Sequence, residues 1–381
     1  MVTVIPYIPE NITVHLSSPS SSAPNVTVPF VDYVKNVASS EIYPTWDESA
    51  LTANILAIIS FALNRVYTEF YRSQGYNFDI TSSTAIDQKF INGRNYFDSV
   101  SRITDRIFND YLRRQGFVEP LAAKFCNGTT VTCEGLSQWG SQSLAAQGLN
   151  SAQILRRYYG NNIEIVNDAP IRGYTPSYPG TPLRRGSQGP NVVRIQVILN
   201  RIGKNYPAIP RISPVDGIFG EQTERAVRAF QQIFNLTPDG IVGKATWYQL
   251  VRIYVGVTRL AELDSQGQTF YAVNWQAPAN LSSGSSGQKV RQLQYMLSVA
   301  AQYIPSVPEV AVDGIFGAQT RAAVIAFQRW AGLTEDGIVG PTTWNTLYNQ
   351  VSGLLSAAQR PSFQYPGAPL RLGDSDFNTS S

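Results

Sequence analysis

The sequence predicts an α+β protein, in which a mixed N-terminal domain with a central buried helix and strands precedes two small three-helix modules. Three observations lead to this fold class. The pattern of residues 216–250 is repeated in residues 313–347 at a constant offset (313 − 216 = 97). An apolar run from Ala50 to Leu63 has no polar face, and residues Ile12–Leu16 alternate as a strand does. The repeat indicates tandem duplication of one module.

Each copy of the repeat places an amphipathic helix between two Asp-Gly turns. Asp216-Gly217 and Asp239-Gly240 recur as Asp313-Gly314 and Asp336-Gly337, and glycine tolerates the positive φ of such turns. The helix between them has one apolar stripe, and a shorter helix with a tryptophan follows. With a third helix upstream, each module has roughly 65–70 residues, near the lower limit for a single core. The apolar positions are Thr223, Ala226, Val227, Phe230, Phe234 and Trp247 in the first copy, and Thr320, Ala323, Val324, Phe327, Trp330 and Trp344 in the second.

On their chemistry alone these residues are packing and turn residues. Their pattern, however, combines an Asp-Gly-x-x-Gly turn, a Thr-x-x-x-Val-x-x-Phe-Gln helix, a second such turn and a Thr-Trp pair. It closely resembles the type 1 peptidoglycan-binding domain, in both copies. The resemblance implies non-catalytic attachment to bacterial wall polymer, without indicating which atoms contact it.

The N-terminal region contains two helical segments. Val31, Val34, Val37 and Ala38 have helical spacing, and the segment ends near Glu41. Thr45 followed by Glu48 predicts a capping box that begins the next helix. That helix runs through Leu63 and is too apolar to have a solvent face, so we expect it to be the buried centre of the domain.

Three segments within residues 28–166 resemble the stage II sporulation protein D family, also called the amidase-enhancer family. They are VPFVDYVKNVASSEIYPTWDESALTANILAIISFAL, YNFDITSSTAIDQKF and GLSQWGSQSLAAQGLNSAQILRRYYG. The resemblance implies lytic cleavage of peptidoglycan glycan strands by a single glutamate, which maps onto Glu41. Such an enzyme needs one carboxyl group, first as acid on the glycosidic oxygen and then as base on the muramic acid C6 hydroxyl. The alternative is that Glu41 is a solvated turn residue.

A second candidate site element is Ser137-Gln138-Trp139. Ser137 and Gln138 offer hydrogen bonds, and Trp139, like Tyr43 beside Glu41, offers a ring that can stack on a neutral sugar. The alternative is a glycine-flanked loop that packs Trp139 into the core. The chain departs from the family in two places: Ile59 stands where members have arginine, and Cys133-Glu134 precedes Gly135 where members have histidine. Loss of these groups would weaken substrate positioning or charge stabilisation.

Cys126 and Cys133 flank an Asn-Gly pair, which is a hairpin signal. Three interpretations remain open at this stage: a disulfide, buried free thiols, or a metal site. Some relatives hold zinc with a histidine and two cysteines. The single histidine, His15, lies far away in the sequence and is expected to be a satisfied strand residue, so a zinc site would be incomplete. We therefore expect no cofactor, with zinc as the minor alternative.

Composition excludes several classes of protein. With 30 basic and 27 acidic side chains and a net charge of +3, the chain is too balanced for a nucleic-acid binder. The most apolar stretch is too short for a membrane span, and the N-terminus lacks the pattern of a secretion signal. We expect a location in the cell wall or spore envelope, with glycan strands and a wall amidase as partners.

The predicted function is peptidoglycan binding, with lytic transglycosylase-like remodelling of glycan strands. Its rival is a non-catalytic wall-anchored structural protein or amidase activator with a degenerate N-terminal domain. The predicted segments are a strand lead-in (1–27), a stage II sporulation protein D-like domain (28–166), a Pro/Gly linker (167–187), module 1 (188–252), a second linker (253–284), module 2 (285–350) and a tail (351–381) that resembles the lead-in to a further module.

Overall fold

The computed structural model describes residues 6–268, 277–301 and 304–355. They divide into two compact units. The N-terminal unit contains the residues up to Ser177 and also Thr258–Gln268, whereas the repeat unit contains Tyr178–Val257 and the described residues from 277 onward. The α+β prediction is confirmed, since strands and helices mix in the first unit and the second is helical.

Short strands border the N-terminal unit. A three-stranded sheet has the order β3-β2-β4, in which β2 pairs with β3 antiparallel and with β4 parallel. Strands β5 and β8 pair antiparallel, while β1 with β9 and β6 with β7 form short parallel pairs. The strands are β1 (Ile8–Pro9), β2 (Asn11–His15), β3 (Asn25–Pro29), β4 (Ile80–Thr81), β5 (Tyr111–Arg114), β6 (Phe125–Cys126), β7 (Leu136–Ser137), β8 (Ile163–Val166) and β9 (Ile171–Arg172).

The helices of this unit surround one member that has no solvent face. Every residue of α2 from Ala50 to Tyr67 is buried, and α1, α3, α4, α5 and β5 all pack against it. The segment Glu48–Gln74 is long and apolar enough for a membrane span, but 94% of its apolar window is buried inside the protein, as in a core helix. The helices are α1 (Phe30–Glu41), α2 (Glu48–Tyr67), α3 (Asp98–Ile107), α4 (Gln138–Ala146) and α5 (Ser151–Tyr159).

Two local predictions were wrong. Helix α2 begins at Glu48 with Asp47 as N-cap and no side-chain cap, because the Trp46 N–H already donates to the Tyr43 carbonyl in a turn and Glu48 pairs with Arg106. The Asn127-Gly128 pair does not close a hairpin. Instead, Asn127 Oδ1 accepts from the N–H groups of residues 129–131, and β6 pairs parallel with β7.

The repeat unit contains the two expected three-helix modules. Each module closes on buried aromatic side chains, Phe219, Phe230 and Trp247 in the first and Phe316, Phe327 and Trp344 in the second. In each module the second Asp-Gly turn pairs with the residues that precede the first helix of the module, through the bridges Leu183↔Val242 and Leu281↔Val339. The helices are α6 (Pro190–Gly203), α7 (Glu221–Ile233), α8 (Lys244–Thr258), α9 (Gln288–Ala301), α10 (Ala318–Trp330) and α11 (Pro341–Leu355).

The segments expected to be linkers contain ordered pairing. Within 167–187, Ile171–Arg172 forms β9 beside β1, and Leu183 bridges to module 1. Within 253–284, α8 continues to Thr258 and the following residues join the N-terminal unit. Residues 269–276 and the tail from residue 356, including the lead-in-like phrase, lie outside the described residues.

Candidate functional site

Glu41 is the last residue of α1, as the sequence predicted. The helix buries one face through Tyr33, Val34 and Val37, and Ile42 then turns into extended backbone, which leaves the Glu41 side chain partly exposed. Its Oε1 accepts a hydrogen bond from the Lys89 N–H at 2.9 Å, and its Oε2 accepts one from Gln138 Nε2 at 3.3 Å. The carboxylate therefore joins three segments that are distant in sequence.

The loop that presents the Lys89 N–H is anchored by the two residues before it. Asp87 accepts from Arg65 Nε at 2.9 Å, from the Tyr71 hydroxyl at 2.5 Å and from both the N–H and the hydroxyl of Thr81. Burial, with the Asp87 carboxylate as the next cause, raises the pKa of Tyr71, so its hydroxyl remains a donor. Buried Gln88 accepts from the Tyr33 hydroxyl at 2.9 Å. Lys89 is thus held next to Glu41.

Helix α4 supplies the other donor to Glu41. Ser137 is the N-cap of α4, because its Oγ accepts from the Gly140 N–H at 3.0 Å, and this cap satisfies one of the free donors of the first turn. The following residue, Gln138, is buried and directs its amide to Glu41. Ser141 on the next turn accepts from Asn54 Nδ2 at 2.7 Å, which ties α4 to α2.

Three aromatic side chains form a cluster beside this carboxylate. Ring centroids are 5.4 Å apart for Tyr43 and Trp139, 5.0 Å for Trp46 and Trp139, and 5.7 Å for Tyr43 and Trp46. Tyr43 is 56% exposed and Trp139 44% exposed. The loop that carries Tyr43 and Trp46 is fixed to α4 because Gln142 accepts from the Asp47 N–H and donates to its carboxylate. Tyr43 and Trp46 lie two and five residues after Glu41, and Trp139 directly follows Gln138.

The structure brings four of the five predicted site residues into contact in two pairs. Glu41 is hydrogen-bonded to Gln138, and Tyr43 touches Trp139. Ser137 lies next to them, but its hydroxyl caps α4. The sequence analysis missed Trp46 and the Lys89 N–H. The position of Trp46, five residues after Glu41, was a usable signal for the former, whereas no residue type marks a backbone donor.

Cys126 and Cys133 form a disulfide, which was one of the three interpretations left open. The thiolates that a zinc site would require are therefore not present in this state. His15 interacts with Asn25 Oδ1 at 2.8 Å and Ser21 Oγ at 2.9 Å and stacks on Phe78, as expected for a satisfied strand residue. In the part of the chain that the structure describes, no group of three or more His, Cys, Asp or Glu side chains could hold a metal ion.

Each turn of the repeat is held by a buried glutamine. Gln231 Nε2 donates to Asp239 Oδ1 at 2.8 Å and to the Ile241 carbonyl at 3.0 Å, while its Oε1 accepts from the Gly240 N–H at 2.8 Å. Gln328 makes the corresponding three bonds to Asp336, Ile338 and Gly337. Gln196 and Gln294 hold the first Asp-Gly turns in the same way. The Phe-Gln pair of the repeat was the sequence signal for the second turn of each copy only, since Gln196 and Gln294 follow Ile195 and Leu293.

The two copies with this glutamine-held turn match one known family. Residues 188–250 and 286–347 each match the family model described as "Putative peptidoglycan binding domain". The chain contains two peptidoglycan-binding domains. Their bounds agree with the modules predicted from the repeat. The resemblance of the N-terminal unit to the stage II sporulation protein D family stays a prediction.

Curated relatives include a carboxypeptidase and an amidase. The chain is 50% identical over 68 residues to a zinc D-Ala-D-Ala carboxypeptidase from Streptomyces albus G, which covers 18% of this chain and 26% of the relative. It is 33% identical over 181 residues to the N-acetylmuramoyl-L-alanine amidase CwlM from Mycobacterium tuberculosis, covering 46% of this chain and 40% of the relative. The chain thus spans less than half of either relative's length.

A solved structure is also similar. It is the 2.05 Å crystal structure of a peptidoglycan-binding protein from Clostridioides difficile in complex with glutamine hydroxamate. The match has 33% sequence identity and a TM-score of 0.18, and it covers 21% of this chain and 45% of that one.

Proposed function

We propose that this protein binds peptidoglycan in the bacterial cell wall through its two peptidoglycan-binding domains, and that the N-terminal domain acts on the glycan strands of the same polymer. The match of both repeat copies to one family carries the first part of the proposal. Two linked weak sites bind an insoluble polymer more tightly than either alone, because the second binding step is intramolecular. The similarity to an amidase and a carboxypeptidase of the wall supports the same location.

For the N-terminal domain we propose a lytic transglycosylase-like reaction with Glu41 as acid and base. Glu41 would protonate the glycosidic oxygen as the bond to the muramic acid C1 breaks, and its carboxylate would then take the proton of the C6 hydroxyl as that oxygen closes the 1,6-anhydro ring. Gln138 and the Lys89 N–H would orient the carboxyl group. The exposed rings of Tyr43 and Trp139 support this proposal, since flat rings stack on sugar faces.

The second candidate is a non-catalytic wall protein, such as a spore-envelope component or an activator of a wall amidase. Two observations favour it. Among the described residues, no cationic side chain forms an ion pair with Glu41, so its carboxylate lacks a neighbouring charge of the kind that stabilises a transition state. Ile59, at the position where relatives of the sporulation family have arginine, is fully buried in α2 and cannot reach a ligand.

One product assay separates the two candidates. Intact protein is incubated with glycan strands free of stem peptides, and 1,6-anhydro ends are counted by mass spectrometry. The enzyme proposal predicts product from the wild type, loss of at least 100-fold with Glu41→Gln, and no loss with Glu48→Gln. Glu48 is a suitable control because its carboxylate is exposed and pairs with Arg106 outside the site.

Wild-type protein without product would favour the non-catalytic candidate. Equal product from wild type and Glu41→Gln would leave the reaction in place but contradict the role of Glu41.

A further inference from the structure

The chain returns to the N-terminal unit between its two peptidoglycan-binding domains. The return segment, Thr258–Gln268, belongs to this unit rather than to the repeat unit. Leu260 is fully buried, and Leu263 packs against the hydrophobic core of the N-terminal unit. The segment therefore contributes apolar surface to a core whose other residues all precede residue 175.

Polar side chains of the N-terminal unit bind the backbone of this segment. Asn64, which is completely buried in the last turn of α2, donates to the Leu260 carbonyl at 2.8 Å. Arg114, at the end of β5, donates through Nη2 to the Leu263 carbonyl at 3.0 Å. Both donors lie in places where a missing acceptor would carry a desolvation penalty. These side chains thus form a binding surface for the backbone of the return segment.

A buried glutamate holds the end of the segment. Glu119 is 3% exposed, and it accepts from Ser265 Oγ at 2.7 Å through Oε1 and from the Gln268 N–H at 2.8 Å through Oε2. The Tyr67 hydroxyl donates to the Gln268 side chain. A buried carboxylate requires hydrogen-bond donors, and the two donors from outside its own loop come from the return segment.

The backbone of the return segment requires a glycine at position 267. Gly267 has φ +78°, and a Cβ placed there would lie 2.4 Å from the Phe117 ring. Glycine is required both by the left-handed backbone and by the close approach of the ring. Any other residue would have to move the segment away from the surface.

A second buried glutamate binds the segment through which the chain first leaves the N-terminal unit. Glu69 directly follows Thr68, the C-cap of α2, and is 3% exposed. Its Oε1 accepts from the Tyr174 hydroxyl at 3.0 Å and from the Ser177 N–H at 2.9 Å, and its Oε2 accepts from the Ser177 hydroxyl. Ser177 is the last residue before the chain enters the repeat unit. The chain leaves the N-terminal unit after Ser177 and after Gln268, and one buried glutamate binds each of these two exits.

We propose that Asn64, Arg114, Phe117 and Glu119 form a docking surface whose occupant is the chain's own return segment. The N-terminal domain is then discontinuous, and the first peptidoglycan-binding domain is an insertion within it. The domain is completed only by residues that follow this insertion, so the chain toward the second peptidoglycan-binding domain starts from the N-terminal domain. This inference does not depend on the reaction proposed for Glu41.

The test measures hydrogen exchange in the intact protein by mass spectrometry. In the wild type we expect protection of the amides of Gln266, Gly267 and Gln268, which donate to the Thr258 carbonyl, Ser265 Oγ and Glu119. Gly267→Ala should raise their exchange rates at least tenfold. The matched control is Gly75→Ala, because Gly75 has φ +93° with no atom within 4 Å of an added Cβ, and it should leave these amides unchanged.

Glu119→Leu removes both acceptors at similar volume and should release the same amides. Protection by the docking surface is contradicted if the wild-type amides exchange as fast as those of a free peptide with the sequence of residues 258–268. It is also contradicted if Gly267→Ala and Glu119→Leu both leave the exchange rates unchanged, or if Gly75→Ala raises them as much as Gly267→Ala does.

Discussion

Gln231 is the residue whose replacement tests the structure of the first peptidoglycan-binding domain most sharply. Its side chain is 1% exposed and binds Asp239, Gly240, Ile241 and Thr246. In Gln231→Leu the buried Gly240 N–H loses its acceptor, which costs roughly 1–3 kcal/mol, and the other lost bonds add about 1 kcal/mol. The total, about 2–4 kcal/mol, is a large fraction of the roughly 3–10 kcal/mol expected for a domain of this size.

The assay is hydrogen exchange of the α7 amides in the intact protein, which reports local unfolding of this domain alone. A loss of about 2–4 kcal/mol corresponds to a rise in exchange rate of roughly 30-fold to 1000-fold. Gln232→Leu is the matched control, since Gln232 is the neighbouring residue on the exposed face of the same helix. Equal changes of the exchange rates in the two variants would contradict the stabilising role of the Gln231 side chain.

Three further predictions follow from the N-terminal unit. Trp139→Ala should weaken binding of glycan strands to the Glu41 site about tenfold, measured by calorimetry with soluble strands, since each stacked ring contributes roughly 0.5–1.5 kcal/mol. Reduction of the Cys126–Cys133 disulfide should lower the free energy of unfolding by about 2.5 kcal/mol, from the loop entropy of a bridge with a sequence separation of 7, measured by denaturant titration with and without dithiothreitol; an unchanged midpoint would contradict it. Burial raises the pKa of Glu119 above its ordinary value of 4.5, although donors from Gln268 and Ser265 lower it. A raised pKa in the folded state favours the protonated form, so the stability of the wild type relative to Glu119→Gln should be highest at acid pH and decrease as pH rises through the folded pKa; an increase over that range would overturn this sign.

Features that repeat or follow a helical period were predictable from the sequence. The bounds of both modules follow from the duplicated Asp-Gly turns, and the burial of α2 follows from its unbroken apolar composition. The end of α1 at Glu41 was predicted because the helical spacing of the apolar residues stops there. These are local properties of the sequence. Which helix faces pack against one another is seen only in the structure.

Features that depend on distant partners were not predictable. The return segment is mostly polar, its apolar residues follow no period, and its contacts with Asn64 and Glu119 join residues separated by 196 and by 146 positions or more. The Lys89 N–H reaches Glu41 because the side chains of Asp87 and Gln88 are buried and hold the loop in place. The capping box predicted at Thr45 does not form, because residues Tyr43–Trp46 form a turn instead. This turn brings the rings of Tyr43 and Trp46 together in the aromatic cluster.

The proposed wall binding is tested most directly by co-sedimentation of the intact protein with purified sacculi in moderate salt. We expect the wild type in the pellet, Gln231→Leu or Gln328→Leu alone with reduced retention, and the double variant Gln231→Leu/Gln328→Leu in the supernatant, because two linked sites act together. A wild-type protein that stays in the supernatant, or a double variant that pellets as well as the wild type, would contradict attachment through the two peptidoglycan-binding domains.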